Sequence, residues 1–142
     1  MTIKIKICGI TNIEDALNAS LLGADALGFV FVGKSPRYIT PLNTSIIIDA
    51  LPPFISKVGL FVNPSKEEVE DAIRVAKFDL LQFHGDENEE FCNQFNLPYI
   101  KAISVKSEVN LVEYETNYNS ASALLLDTYS EKARGGTGTT FD

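Results

Sequence analysis

Short β-rich runs alternate with helical stretches along this chain, and that alternation restricts its fold more than any other feature. Runs at Ile3–Cys8, Ala26–Phe31, Lys57–Val62, Asp79–Phe83, Tyr99–Ile103 and Ala123–Asp127 read as strands. Helices are expected between them, near residues 12–22, 41–51, 66–76, 87–95 and 107–117. The punctuation agrees. Asn12 can cap the first helix and Gly23 follows its end; Thr40-Pro41 places a cap before a proline in the first helical position; Ser65 with Glu68 has capping-box spacing. Strands beginning about every 24 residues, each followed by a helix, build right-handed βαβ units and a parallel sheet.

Two parallel architectures compete. A doubly wound open sheet usually carries a glycine-rich phosphate loop after its first strand, and Cys8-Gly9-Ile10-Thr11 holds one glycine and no G-x-G-x-x-G. A (β/α)8 barrel needs at least roughly 200 residues, and 142 residues at this repeat supply only six strands. The segment after the sixth strand, Arg134-Gly-Gly-Thr-Gly-Thr-Thr-Phe-Asp142, is a glycine-rich loop with no helix behind it. The expectation is therefore a single partial TIM-barrel domain over residues 1–142, with strands one to six present and a C-terminal part missing.

Composition narrows the function classes. A hydrophobic content of 45% is ample for a packed core, and a formal charge of −7 argues against nucleic acid as partner. A small anionic ligand stays possible, because a few local cations and amides can hold one phosphate. Apolar stretches fall well short of the roughly 20 residues of a membrane span, and the N-terminus has no signal-peptide core. Two distant cysteines, Cys8 and Cys92, fit reduced thiols in a cytoplasmic protein rather than a disulfide framework. With one histidine and no metal-ligand spacing, no zinc or other metal site is expected.

Barrel enzymes place their chemistry at the C-terminal ends of the strands. There this chain offers Cys8, Arg37, Asn63, Gln82, His84, Ser104 and Asp127. Cys8 shares the parity of Lys4 and Lys6, so isoleucines 3, 5 and 7 facing the helices would turn the thiol into the barrel mouth. It reads either as a general base or as a small buried hydrophobe. Asp127 follows four apolar residues, where desolvation suits a general acid; the alternative is a loop cap. Arg37 can fork a carboxylate or phosphate, or simply lie solvated. Gln82 and His84 face the same side, with His84 either an acid–base group or a hydrogen-bonded scaffold residue. Gly135 and Gly136 could give amides to a phosphate or close as a lid.

Taken in order, Lys6-Ile-Cys-Gly-Ile-Thr11 with Asp15-Ala16, Gly23-Ala-Asp-Ala-Leu-Gly-Phe-Val-Phe31, Ser35-Pro-Arg-Tyr-Ile39, Val58-Gly-Leu-Phe-Val-Asn63, Leu81-Gln-Phe-His-Gly85, Lys101-Ala102, Leu125-Leu-Asp-Thr128 and Gly135-Gly-Thr-Gly-Thr-Thr-Phe-Asp142 closely resemble the phosphoribosylanthranilate isomerases of tryptophan biosynthesis. The resemblance spans essentially the whole chain. It implies a cofactor-free Amadori rearrangement of a phosphorylated aminosugar, with Asp127 as general acid and Cys8 as general base. Arg37 would engage the anthranilate carboxylate, and Gln82, His84, Gly135 and Gly136 would join the substrate site. It further implies two more strands carrying the phosphate site beyond Asp142, so the chain alone is expected to be poorly active. Other readings are a non-catalytic barrel fragment that associates through its edges, as a homodimer or with the missing part, and a relative of ribulose-phosphate epimerases. The single histidine speaks against the last of these.

Overall fold

The computed structural model describes residues 2–106 and 110–128. Its elements run β1 (Lys6–Cys8), α1 (Ile13–Leu21), β2 (Ala26–Val30), α2 (Pro41–Asp49), β3 (Ser56–Phe61), α3 (Lys66–Ala76), β4 (Leu80–Phe83), α4 (Glu89–Asn93), β5 (Tyr99–Val105), α5 (Leu111–Asn117) and β6 (Ala123–Thr128). All neighbouring strands pair in parallel, and the sheet order is β1-β2-β3-β4-β5-β6. A doubly wound sheet reverses its order at a switch point; this one never reverses. Successive right-handed crossovers in one direction put every helix on the same face, which is the winding of a (β/α)8 barrel.

Local chemistry sets the helix ends. Asn12, Thr40 and Ser65 each accept a hydrogen bond from the backbone N–H three residues on, and Glu68 completes the capping box by accepting from the Ser65 N–H. Each such cap stabilises its helix by about 1 kcal/mol. Helix α1 ends where Gly23 takes φ +95°, with Ala24 N–H donating to the Ala19 carbonyl; this left-handed turn suits glycine.

Several elements are shorter than expected, α1 and α2 by two residues each, and in two others a side chain sets the end. Strand β1 pairs only from Lys6, because the Asp25 carboxylate accepts from the Ile5 N–H at 2.8 Å and substitutes a side chain for the ladder. Helix α4 starts at Glu89 rather than 87, because Glu87 turns inward and Asn88 serves as the cap, accepting from Phe91 N–H at 2.9 Å. Residues 107–109 of the expected fifth helix, together with Gly135 and Gly136, lie outside the described residues.

The main core lies between the sheet's outer face and the helices. Leu27, Phe29, Phe61, Leu81, Phe83 and Tyr99 point outward from the strands and pack on Ala16, Ile47, Val69, Ala72 and Cys92. Phe83 is the hub of the aromatic contacts, touching Phe61, Phe91, Phe95 and Tyr99. The inner face is strongly concave. Strands three places apart would be roughly 14 Å apart in a flat sheet, yet Lys6 on β1 bonds Gln82 on β4. Ile3, Ile5 and Ile7 do point away from Lys6 and Cys8, as their parity demands. Ile3 is 87% exposed, while Ile5 and Ile7 are half-exposed beside a cleft that Asp15 and Ala19 of α1 also line.

Candidate active site

Parallel register decides which strand-end residues meet. Partners in a parallel ladder share a face, and residues two apart on one strand do too. Cys8 pairs with Gly28, Gly28 with Val58, and Val58 with Leu80; Gln82, two further on, pairs with Ile100; and Ser104 pairs with Asp127. The Cys8 thiol and the Asp127 carboxyl therefore project from the first and sixth strands onto one concave face. Gly28 makes room for the thiol, since a Cβ added there would stand 2.8 Å from Cys8 Sγ.

A chain of polar side chains crosses this face. Lys6 Nζ donates to Gln82 Oε1; Gln82 Nε2 lies 3.2 Å from His84 Nδ1; His84 Nε2 lies 2.9 Å from Asp127 Oδ2. Gln82 is 2% exposed, and both ends of its amide are engaged within the protein. Asp127 keeps 23% of its side chain open. Burial lowers the pKa of Lys6, while the neighbouring Cys8 pulls it back up.

Arg37 reaches the same rim from the β2–α2 loop. Its backbone N–H is held by Ser35 Oγ at 3.1 Å, and its Nη1 donates to the Cys8 carbonyl at 3.3 Å. The side chain lies across Gly9, whose φ is +93° and where a Cβ would collide with the arginine. One exposed guanidinium is thus stationed beside the end of β1, with further N–H donors in a planar fork.

The β4–α4 loop is fixed from behind. Lys101, on the outer face of β5, donates to the Gly85 carbonyl at 2.6 Å and to Glu87 Oε2 at 2.8 Å, and its ammonium sits 5.6 Å from the centre of the Tyr118 ring. Glu87 also accepts from the N–H groups of Asn63 and Gly85, and its carbonyl accepts from the Tyr118 hydroxyl. Asn63 Oδ1 takes the Asp86 N–H at 2.7 Å, so this strand-end residue braces a loop. Sequence reasoning placed neither Lys6 nor Lys101 in the site. Their shared signal is a lysine inside an otherwise apolar strand, where a buried cation demands a partner.

Among the described residues no group of three or more His, Cys, Asp or Glu could hold a metal ion, and no helix is long and apolar enough to cross a membrane.

Comparison with known proteins agrees with this fold. The family model described as N-(5'phosphoribosyl)anthranilate (PRA) isomerase matches residues 5–142. The N-(5'-phosphoribosyl)anthranilate isomerase of Nitrosospira multiformis is 52% identical over 142 residues, covering 100% of this chain and 68% of that protein. The crystal structure of phosphoribosyl anthranilate isomerase from Thermotoga maritima superposes with a TM-score of 0.86 at 41% identity, over 97% of this chain and 67% of that one. A crystal structure of a phosphoribosyl anthranilate isomerase in complex with reduced 1-(o-carboxyphenylamino)-1-deoxyribulose 5-phosphate gives 0.82 at 42% identity, over 90% of this chain and 66% of that one. Six parallel strands in unbroken order, a match along nearly the whole sequence and two close structural relatives lead to one assignment: this chain belongs to the N-(5'-phosphoribosyl)anthranilate isomerase family.

Proposed function

We propose that this chain carries the acid and the base of an aldose–ketose isomerase acting on N-(5'-phosphoribosyl)anthranilate. Asp127 protonates the ribose ring oxygen, which opens the ring to a Schiff base. Cys8 then removes the C2′ proton, and the resulting enolamine tautomerises to the 1-deoxyribulose 5-phosphate product. The observation that carries this reading is the common concave face of Cys8 and Asp127, which project from the first and the sixth strand. Arg37, beside the Cys8 carbonyl, is placed to fork the anthranilate carboxylate. His84 flanks Asp127, with Gln82 behind it. Gly135 and Gly136 complete the proposed substrate site. The thiol must stay reduced to act as a base, which suits the cytoplasm.

The test is conversion of N-(5'-phosphoribosyl)anthranilate to the ketose, followed by chromatography. It is run on the chain alone and with the remaining third of the Nitrosospira relative added, since the chain spans 68% of that protein. Cys8→Ala and Asp127→Asn are each expected to cut kcat by about 10²–10⁴-fold. Near-normal turnover by either variant removes that residue from its role. Arg37→Ala should raise KM more than it lowers kcat, the signature of lost substrate binding.

A second reading rests on the sheet edges. Among the described residues β1 and β6 pair on one side only, and each edge borders an apolar cleft, of about 530 Å³ beside Ile5 and Ile7 and about 580 Å³ beside Leu111 and Leu126. Open edges and apolar clefts favour association, with a complementary barrel piece or with a second copy. Turnover that appears only when the complementary third is added would join the two readings. Association without turnover in any mixture would leave the second alone.

A further inference from the structure

We propose that Lys6 is a positioning residue for the reaction: acting through Gln82, it fixes the proton of His84 on Nε2 and so gives the two oxygens of Asp127 different tasks. The inference rests on the reading of Asp127 as the acid, and it is argued from which atoms can donate.

A protonated lysine has three donors and no acceptor. Its partner on Gln82 must be the carbonyl oxygen, and Lys6 Nζ does meet Oε1. That choice settles the orientation of the amide, which is otherwise free to flip. The amide nitrogen is left facing His84 Nδ1 at 3.2 Å. An amide nitrogen only donates, so Nδ1 must accept, and an accepting Nδ1 carries no proton. The single proton of the neutral ring then lies on Nε2, which donates to Asp127 Oδ2 at 2.9 Å. All three links run in one direction, from β1 through β4 to β6, and each polarises the next.

The consequence for Asp127 is specific. An imidazolium would form an ion pair with the carboxylate and hold it deprotonated, which denies the reaction its acid. It would also point an Nδ1–H at the Gln82 amide, donor against donor. The chain of donors thus disfavours the charged ring. With a neutral ring, Oδ2 is engaged as an acceptor and Oδ1 is the oxygen that carries the proton to the substrate. Among the described residues, Asp127 lies in front of the ring and Lys6 beyond Gln82, while Glu87 and Lys101 are paired with each other beside Gly85. Lys6 occupies this position although burial works against its charge, a cost an unused lysine in a strand would avoid by pointing to water.

His84 is the one histidine in the sequence, so the ring nitrogens of the isotope-labelled chain give an unambiguous magnetic-resonance reading of its tautomer. At about pH 7.5 the neutral ring with its proton on Nε2 is expected. Lys6→Met should release the amide and yield mixed tautomers or an imidazolium. Gln82→Glu should go further, since a carboxylate there accepts from both neighbours and draws the ring proton to Nδ1. A ring protonated on Nδ1 or on both nitrogens in the unaltered chain overturns the proposal, as does a Lys6→Met chain that keeps the Nε2 tautomer alone. If either variant fails to fold, the unaltered chain and the other variant still decide. The measurement reads no turnover, so a wrong tautomer sinks this inference and leaves the isomerase reading standing. A correct tautomer together with an active Asp127→Asn would take the acid role from Asp127, and with it the tasks assigned here to its two oxygens, while the donor chain from Lys6 to His84 would stand. Where turnover is measured, Lys6→Met should lower kcat about 10- to 100-fold with KM little changed.

Discussion

Lys101 and Glu87 form an ion pair 2.8 Å long in which each side chain is only 2% exposed, and this pair fixes the backbone that carries His84. Both charges are fully partnered: the lysine by Glu87, the Gly85 carbonyl and the Tyr118 ring, the carboxylate by two backbone N–H groups besides. Removing one partner leaves the other as an unpaired buried charge, which costs about 3–5 kcal/mol. Lys101→Met and Glu87→Leu should each lower the urea midpoint accordingly. The double variant should lose clearly less than the sum, because it leaves no orphaned charge. Additive losses would mean that the pair is not coupled as the geometry requires.

Gly28 gives a local test of how the thiol is seated. A methyl group there would stand 2.8 Å from Cys8 Sγ and 3.2 Å from Cys8 Cα, and strand backbone on both sides leaves it nowhere to go. Gly28→Ala is expected to cost about 1–3 kcal/mol in overpacking and to reduce turnover by displacing the thiol. Gly33→Ala is the control, since nothing lies within 4 Å of a Cβ at that position. It should be neutral or stabilise by up to about 1 kcal/mol through the unfolded chain. Equal effects of the two substitutions in denaturation and turnover would refute the packing argument.

What the sequence disclosed follows from the range of the forces involved. Helix α3 occupies the expected residues 66–76 because its signal is local, a capping box at Ser65 and Glu68; in the structure a left-handed Lys77 closes it. The inner and outer faces were legible for the same reason, since strand parity is a property of neighbours. The errors lie where distant groups intervene. Asp25 shortens β1 from the far side of α1, and Lys101 draws Glu87 out of the start of α4. The strand-end rule singled out Cys8, Gln82, His84 and Asp127, but the direction of the hydrogen bonds among them depends on Lys6 reaching across two intervening strands. No periodicity encodes that reach.

The two thiols should differ sharply in reactivity. Cys8 is half-buried at the end of β1, whereas Cys92, on the inward side of α4, is buried in the outer core. Burial pushes the Cys92 thiol up to about 12, with Glu87 and Glu89 adding to the rise and Lys101 opposing it. The nucleophile is the thiolate, and Cys92 supplies almost none at neutral pH. Brief treatment with iodoacetamide followed by peptide mapping should label Cys8 and spare Cys92. Equal labelling would show that the outer core opens on the timescale of the reaction.

The same burial predicts how the fold fails in alkali. In the unfolded chain the Cys92 thiol ionises near 9.0; in the native protein it holds its proton to about 12. Between those values the native state binds more protons than the unfolded state, so stability falls as pH rises. The contribution is whole below pH 9.0 and is lost progressively up to about 12, at no more than about 1.4 kcal/mol per pH unit. Tyr118, raised by burial from 10.0 to about 12, adds a loss of the same sign starting one unit higher. Lys6 acts in the opposite sense: burial lowers its pKa, so shedding its proton below 10.5 relieves strain on the fold. Comparing Cys92→Ala with the unaltered chain cancels Lys6 and the burial of Tyr118, and removes the thiol together with the part of the Tyr118 and Tyr99 rise that its charge causes, which has the same sign. The variant should be less stable at pH 8, having lost a packed sulfur, but its urea midpoint should decline less steeply between pH 9 and 11. Parallel declines would show that Cys92 is not held protonated by the core.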